Sequence, residues 1–195
     1  LHGSSAASDV YKRQAQYITN IDTSEQDQIW FRFTFLPSVQ FGGCYIPPSD
    51  STYYSESNHA NILSKCMVDP DLESVVFGDL NSRVGSALVE LSSLHDNISY
   101  IPVDKLQTPS EHGKKLLRIA KDGGLFFVNN MVVRGRHGEG NLTFRRRQTW
   151  ISEVDVVLVS RNILPRVIDF DIDQSLSFPS DHAPISVSIS VEGLM

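Results

Sequence analysis

Segments with the pattern of β-strands alternate along this chain with segments of helical periodicity, and this alternation constrains the fold more than any other feature. Alternating apolar residues predict a strand at 29–35, with 40–45 as its continuation beyond a bend at Gly42 and Gly43. Further strands are predicted at 74–77, 125–128, 154–159, 167–170 and 185–191, and helices at 53–67 and 114–122. This order predicts an α/β domain, with residues 86–111 as an irregular surface excursion.

The composition narrows the class of protein. Hydrophobic residues make up 41% and charged residues 21% of the 195 residues, which is typical of one globular domain. No apolar run reaches the roughly 18 residues of a membrane span, and no secretory signal pattern occurs, so an intracellular protein, nuclear or cytoplasmic and without membrane association, is expected. The formal net charge of -6 argues against a broadly basic nucleic-acid-coating protein but leaves room for a local cationic patch. Cys44 and Cys66 form no CxxC pair, which predicts reduced structural thiols.

Two oxygen-bearing side chains follow the apolar run at 74–77, within the motif GDLN at residues 78–81. Asp79 and Asn81 are two positions apart at the end of a strand, so their side chains are expected on the same side, where they can share one phosphate group. Carboxylates with a phosphate are the environment that Mg²⁺ prefers in proteins. The alternative is an ordinary turn, because Asp and Asn beside glycine also build turns.

A carboxylate and an imidazole are adjacent in the motif SDH at residues 180–182, just before the strand at 185–191. One can bind a metal ion while the other contacts a phosphate, whereas the alternative is an Asx-type turn with a solvated histidine. Asp155 lies in the apolar strand at 154–159, and a buried carboxylate needs a partner. An exposed Asp at the strand end is the alternative there.

Four motifs together resemble the endonuclease/exonuclease/phosphatase superfamily in their order and approximate spacing: GCYIPP at 43–48, GDLN at 78–81, SEVDVVLVS at 152–160 and SDHAPI at 180–185. The pair NN at 129–130 and the stretch TFRRRQTW at 143–150 are most similar to the abasic-site-endonuclease-like domains of non-LTR (LINE-type) retrotransposons. The resemblance covers about residues 29–191. It implies a DNase I-like α/β sandwich, in which two packed β-sheets have helices outside.

The resemblance also implies roles for single residues. Tyr45 would orient the phosphate or the metal shell, although a core tyrosine is the alternative. Asp79 would exchange a proton with the attacking water or the leaving oxygen, and Asn81 would donate a hydrogen bond to a phosphoryl oxygen. Asp181 would bind the divalent ion, Mg²⁺ or Mn²⁺, with Asp79 and Asn81 as its further ligands.

His182 would donate to the phosphate, and Asp155 would hold the other nitrogen of its ring. The dense cationic cluster of Arg145, Arg146 and Arg147 is a candidate contact for the nucleic-acid backbone, with a solvated loop as the alternative.

Several other side chains that could carry chemistry are predicted to be structural. Trp150 is expected to pack rather than to stack on a base. Four histidines have no ligand-like spacing and are predicted to be surface residues: His59, His95, His112 and His137.

The first fourteen residues are expected to be foreign, because residues 4–14 match the translation of an adapter used in sequencing libraries. On this hypothesis residues 15–195 form a partial domain that lacks its N-terminal strands. Superfamily members begin with one strand that carries an asparagine and another that carries a metal-binding glutamate, and neither precedes Ile29. The fragment is therefore expected to be inactive, while its full-length parent would cleave DNA.

The resulting hypothesis is a divalent-metal-dependent phosphodiesterase, specifically the DNA-nicking endonuclease of a retrotransposon. DNA is the expected partner of a monomer, with a reverse transcriptase C-terminal to this segment in the parent polypeptide. Two alternatives stay open: a phosphatase or a phospholipid or RNA phosphodiesterase of the same fold, and a non-catalytic, decayed fragment.

Overall fold

The computed structural model describes residues 16–94, 98–103, 108–133, 136–137, 141–175 and 179–193. The adapter-like residues 4–14, His95 and the side chain of His137 lie outside this description. The strands are β1 (Ile18–Asp22), β2 (Gln28–Phe33), β3 (Leu36–Cys44), β4 (Glu73–Asp79), β5 (Ile98–Tyr100), β6 (Leu125–Phe127), β7 (Met131–Val133), β8 (Arg136–His137), β9 (Phe144–Arg146), β10 (Thr149–Ser152), β11 (Asp155–Ser160), β12 (Val167–Ile172) and β13 (Ile185–Ile189). The helices are α1 (Ser57–Met67) and α2 (Glu111–Asp122), with 3₁₀ segments at Gly85–Leu94 and Leu164–Arg166.

Six strands form the main sheet, in the order β1-β2-β3-β4-β11-β6. β3 and β4 run parallel, and the other neighbouring strands are antiparallel. The central strands β4 and β11 are apolar because they are covered on both faces, and Val76 and Leu158 have no exposed surface. In their register Asp155 lies opposite Asp79, so the end of β4 and the start of β11 meet at one edge of the sheet.

Helices cover one face of this sheet, and of three smaller ladders β12-β13 faces the other side across an apolar cavity and forms the second layer. α1 is held on the sheet by Gln28 and Gln40, whose side-chain amides donate to the carbonyls of Asn58 and Lys65. The ladders are β12-β13, β9-β10 and β5-β7-β8. The predicted α/β architecture with outer helices is confirmed. Among the described residues, no helix is long and apolar enough to cross a membrane.

The segments at 29–35 and 40–45 are not one bent strand, as the sequence predicted, but the antiparallel neighbours β2 and β3. Gly42, one of the glycines that suggested a bend, is needed for another reason. A Cβ on Gly42 would lie 2.7 Å from the ring of Trp30, so glycine is needed there for the close approach of the indole.

Phenylalanine side chains of β2 and β3, with Phe35 between the strands, form an aromatic cluster on the face of the sheet that is turned to the second layer. Phe31 stacks on Phe41 with ring centroids 5.6 Å apart, and Phe33 meets Phe41 edge to face at 5.1 Å. Phe35 extends the cluster and is 45% exposed. A cavity of about 250 Å³ separates the cluster from Val187 and other apolar residues at the β13 side.

The predicted helix boundaries and the surface excursion need correction. α1 begins at Ser57 rather than at residue 53. α2 begins three residues earlier than predicted, at Glu111, because the Ser110 hydroxyl accepts the Gly113 N–H at 3.0 Å and so caps the helix. Residues 86–111 are not all surface, since the 3₁₀ segment Gly85–Leu94 buries Leu88 completely.

The prediction that His59 and His112 are surface residues is wrong. They are 3% and 5% exposed, and their rings lie 5.1 Å apart where α1 and α2 meet. His112 also stacks on Tyr54 at 4.7 Å, and Nε2 of His59 lies 3.3 Å from the Ser82 hydroxyl.

Both cysteines are free thiols, as predicted.

Because this histidine pair is buried, the stability of the fold should fall in acid. Desolvation lowers the pKa of His59 from 6.5 to about 4, with the nearby charge of His112 as a smaller cause. Between these two values the unfolded chain binds a proton that the folded chain does not, so stability is lost as the pH falls from 6.5 towards 4. The loss should reach about 2 kcal/mol. Urea unfolding at pH 7.5 and 4.5 measures it, and His59→Gln should reduce the difference; an unchanged difference would contradict this explanation.

Candidate active site

Three chain segments meet at the edge of the main sheet where β4 ends and β11 begins. Asp79 is the last residue of β4, and Asp155, the first of β11, is its cross-strand partner. Opposite residues in an antiparallel pair place their side chains on the same face, which explains why the two carboxylates are close. The loop before β13 adds His182, which forms a β-bridge with Phe144 of β9.

The imidazole of His182 lies between the two carboxylates. Its Nδ1 is 2.9 Å from Oδ2 of Asp155, and its Nε2 is 3.9 Å from Oδ2 of Asp79. Asp155 is only 9% exposed, so a hydrogen bond from Nδ1–H satisfies its carboxylate and orients the ring. The distance of 3.9 Å is too long for a hydrogen bond, so Nε2 and the Asp79 carboxylate face a shared space.

The surroundings of Asp79 and His182 in this group raise the pKa values of both residues. Burial, with the negative charge of Asp155 adding to it, raises the pKa of Asp79 to about 6, against the N–H donors of Asn81. Burial lowers the pKa of His182, but the hydrogen bond to Asp155 and the surrounding carboxylates outweigh it, so the net shift is upward. A carboxylate and an imidazole tuned in this way suit proton transfer.

Asn81 closes a turn around Asp79. Its backbone is left-handed, with φ of 45°, and its main-chain N–H donates to Oδ1 of Asp79 at 3.0 Å. Both hydrogens of its side-chain amide are used, by the carbonyl of Ile46 at 2.9 Å and by Oδ2 of Asp79 at 3.2 Å. The donation to a phosphate that the sequence predicted for this amide therefore competes with these bonds. The turn and the candidate site coexist in one motif.

Tyr45 and Asp181 interact electrostatically with this group. Tyr45 is 43% exposed, so it is not a core tyrosine, and burial followed by the charges of Asp79 and Asp27 raises its pKa. Asp181 is exposed and lies outside the group formed by Asp79, Asp155 and His182. Its charge contributes to the raised pKa of His182.

The three arginines of the cationic cluster lie in different surroundings. Arg145 turns back to the loop before His182, where its guanidinium donates to the carbonyl of Ser180. Arg146 and Arg147 are exposed at the tip of the β9-β10 hairpin. Trp150 is half-buried and packs against the core, in line with its predicted structural role.

A metal ion could be held at this edge. Asp79, Asp155 and His182 each offer one ligand atom, and these atoms lie within 4.8 Å of one another. Nδ1 of His182 and Oδ2 of Asp155 are already hydrogen-bonded to each other. Asp79 is therefore the carboxylate best placed to bind a cation. Burial is the main cause of the raised pKa of Asp79, and repulsion from Asp155 adds to it; a bound cation would relieve this repulsion.

Sequence reasoning gave no role to Thr143, which connects two parts of the site. Its side chain is fully buried, and Oγ1 accepts the N–H groups of Val154 and Asp155, both at 3.0 Å. Its carbonyl accepts the N–H of Ala183 at 2.7 Å. Thr143 therefore holds the start of β11 next to the loop that carries His182. The resemblance of 143–150 to endonuclease domains was the only signal for it.

Replacing Thr143 with valine should destabilise the protein by about 3 kcal/mol, because two buried N–H groups lose their acceptor. Thr143→Ser keeps the hydroxyl and should cost about 1 kcal/mol, for the lost methyl group. Urea unfolding of the two variants measures the difference. Equal stabilities would show that the hydroxyl is not what holds this junction.

The asparagine pair at 129–130 supports β11 from its other side. The amide of Asn129 donates to Glu153 at 2.9 Å and to the carbonyl of Asp155 at 3.0 Å, and its oxygen accepts the N–H of Val157. Asn130 donates to the second oxygen of Glu153 at 2.6 Å. This network fixes the start of the strand and, with it, Asp155.

Neither a protein-family model nor a curated protein sequence matches this chain. Solved structures do. A 3'-5' exonuclease (NExo) from Neisseria meningitidis has a TM-score of 0.59 at 21% identity, over 86% of this chain and 66% of that chain. The endonuclease domain of TRAS1, a telomere-specific non-LTR retrotransposon, has a TM-score of 0.55 at 18% identity, over 83% of this chain and 60% of that chain. An AP endonuclease from Archaeoglobus fulgidus has a TM-score of 0.52 at 18% identity, over 89% of this chain and 70% of that chain.

At this level of identity the likeness concerns the fold. This chain spans 66% and 60% of the lengths of the first two structures. They are a 3'-5' exonuclease and a retrotransposon endonuclease domain, and both have the DNase I-like arrangement that the resemblance of the sequence motifs implies. The chain therefore has the α/β fold of the exonuclease/endonuclease/phosphatase proteins.

Proposed function

We propose that this chain is part of a divalent-metal-dependent phosphodiesterase that nicks DNA, and that its parent is the endonuclease of a non-LTR retrotransposon. The observation that carries the proposal is the imidazole of His182 between Asp155 and Asp79, at the edge where β4 ends and β11 begins. The solved structures of similar fold are named as nucleases, and one of them as a retrotransposon endonuclease domain.

In the proposed reaction, water attacks the phosphorus directly and the leaving oxygen departs without a covalent intermediate. The Nε2 side of His182 donates a hydrogen bond to a phosphoryl oxygen, while Asp155 keeps the ring oriented through Nδ1. The Asp79 carboxylate, 3.9 Å from Nε2, exchanges a proton with the water or the leaving oxygen.

Asp79 and the amide oxygen of Asn81 would hold a divalent ion, with waters or phosphate oxygens as the remaining ligands. Such an ion, Mg²⁺ or Mn²⁺ in this proposal, supplies neutralisation of the phosphoryl oxygens. Asp181 remains a ligand candidate from the sequence. Calorimetric titration with Mn²⁺ compares Asp79→Asn with Asp181→Asn, and Asp169→Asn, an exposed residue of β12, is the control.

A groove of about 420 Å³ leads to this group and would receive the nucleic acid. Asn81 and His182 are among the residues that line it, with Ser110, Phe144 and Ile151. Arg146 and Arg147, exposed at the hairpin tip, could meet the backbone phosphates beside it.

A nicking assay with supercoiled plasmid tests the proposal. Because the chain spans only part of its structural neighbours, we propose that cleavage needs a longer form of the protein, and the assay is run on both forms. Nicking by the longer form that stops with EDTA and with Asp79→Asn is the expected result. Robust nicking by the 195-residue chain would overturn the proposed need for the longer form.

The alternative substrates are tested in parallel. Release of phosphate from inositol phosphates, or of a phosphorylated headgroup from phospholipids, without plasmid nicking would replace the proposed function by that of a phosphatase or a phospholipid phosphodiesterase. If every assay is negative for the longer form, a decayed, non-catalytic element is the remaining explanation.

The origin of the chain has its own test. A retrotransposon endonuclease acts on chromosomal DNA, so we propose a nuclear or cytoplasmic protein whose parent polypeptide also carries a reverse transcriptase. Reading the genomic DNA on both sides of the coding segment decides this. An uninterrupted reading frame without a reverse transcriptase would contradict it.

A further inference from the structure

The guanidinium of Arg145 is hydrogen-bonded to the loop that carries His182, at the protein surface. Its Nη2 and Nε donate to the carbonyl oxygen of Ser180, at 2.7 and 3.2 Å. Its main-chain N–H donates to the carbonyl of Asp181 at 2.8 Å. Its Cζ atom lies 5.7 Å from the ring centre of Trp150, across the β9-β10 hairpin. Arg145 thus contacts two successive carbonyls just before His182.

The same loop is held from two other directions. The His182 N–H donates to the Ser180 hydroxyl at 3.0 Å, so the position of Ser180 determines where the His182 backbone lies. The ring of Phe144 lies 5.1 Å from the imidazole. The loop therefore depends on the β9-β10 hairpin, and Arg145 provides the side-chain hydrogen bonds of that connection.

We infer that Arg145 is a positioning residue, which fixes the Ser180 carbonyl and so holds the imidazole of His182 against Asp155, rather than a residue that binds phosphate directly. Its part in the reaction rests on the proposed function. The contacts themselves do not depend on it.

Arginine suits this task better than lysine. Its planar fork directs two N–H groups at one carbonyl oxygen while its face stacks on an aromatic ring. A lysine ammonium is a point donor that cannot make the same pair of bonds and stack at once. Arg145→Lys should therefore keep the charge and lose the positioning, which separates the two explanations.

The competing explanation is the phosphate contact that the sequence predicted for the whole cationic cluster. Arg146 is the matched control, because it is the next residue of β9 and is exposed. A side chain that neutralises one phosphate lowers the slope of binding against salt by about one when it is removed. A positioning residue leaves that slope unchanged.

The experiment compares Arg145→Ala, Arg145→Lys and Arg146→Ala in the 195-residue chain. The first readout is the NMR signal of the His182 ring proton Hε1 at one fixed pH, which the ring current of Phe144 shifts in the native arrangement. The second is the affinity for a fluorescent DNA duplex at several salt concentrations. Backbone amide spectra check that each variant is folded.

We expect both Arg145 variants to move the Hε1 signal towards that of a free histidine, and Arg146→Ala to leave it in place. We expect DNA affinity to change by less than about twofold in Arg145→Lys, and the salt slope to fall by about one only in Arg146→Ala. An unchanged Hε1 signal in folded Arg145→Ala overturns the inference. A native Hε1 signal in Arg145→Lys also overturns it. If neither the chain nor the longer form binds DNA, the proposed function is what has failed, and the NMR comparison in the chain still decides the role of Arg145.

Discussion

Replacing His182 with asparagine is expected to lower the rate of DNA cleavage about 1000-fold in a form of the protein that cleaves DNA, because the group facing the phosphate can no longer donate as an imidazolium. The asparagine amide can still donate to Asp155, so the fold should be retained. Plasmid nicking under saturating and limiting DNA measures kcat and KM separately. The loss should fall on kcat, since an interaction made in the transition state is removed.

The control for this prediction is Asp155→Asn, which leaves the imidazole in place but removes the carboxylate that orients it. Its effect should be smaller than that of His182→Asn but should also fall on kcat. A His182→Asn variant that keeps a tenth of the native rate, or that loses activity only through KM, would exclude the proposed role of this histidine.

Replacing Gly78 with alanine should prevent the domain from folding stably. A Cβ atom at this position would lie 2.0 Å from the main-chain oxygen of Cys44, and the backbone has φ of 138°, which side chains rarely adopt. The oxygen belongs to the parallel neighbour β3, so it cannot move without separating β3 from β4. The expected cost is more than about 4 kcal/mol, a large part of the stability of an ordinary domain. Circular dichroism during urea unfolding measures it.

Gly124 provides the matched control. Its φ of 61° is also left-handed, but a Cβ there would meet no atom within 4 Å. Gly124→Ala should therefore cost only about 1 kcal/mol, from backbone strain alone. If Gly78→Ala is no more damaging than Gly124→Ala, the close approach of β3 and β4 is not what requires glycine in the GDLN motif.

The strands were predictable where the side chains themselves show the pattern. The apolar run of β11 reflects its burial directly. The alternation in β2 predicted a strand but not which face is most buried, since Trp30 is 4% and Ile29 44% exposed. The burial of His59 and His112 was not predictable, because it depends on how α1 and α2 meet. The burial of Leu88 in a 3₁₀ segment has the same cause, since only tertiary packing covers it.

For the candidate site, the sequence predicted which segments would meet but not how each side chain would be used. The strand ends that carry Asp79 and Asp155 lie side by side because β4 pairs with β11. Asp181 belongs to the SDHAPI motif and Arg145 to the TFRRRQTW stretch, yet Asp181 is exposed while the Arg145 side chain turns back to the carbonyl of Ser180. Side-chain direction depends on contacts across the fold, which spacing along the chain does not contain. The chemical roles of these residues therefore stay predictions.

The aromatic cluster on β2 and β3 has a practical consequence for anyone who purifies this chain. With a sequence pI of about 5.4, electrostatic repulsion between molecules vanishes in mildly acidic buffer, while the exposed edge of Phe35 stays apolar. Kosmotropic salts strengthen the attraction between such surfaces. Alkaline buffer of low sulfate content is therefore the condition in which concentrated samples should stay clear, and precipitation should begin first near pH 5.4 in ammonium sulfate.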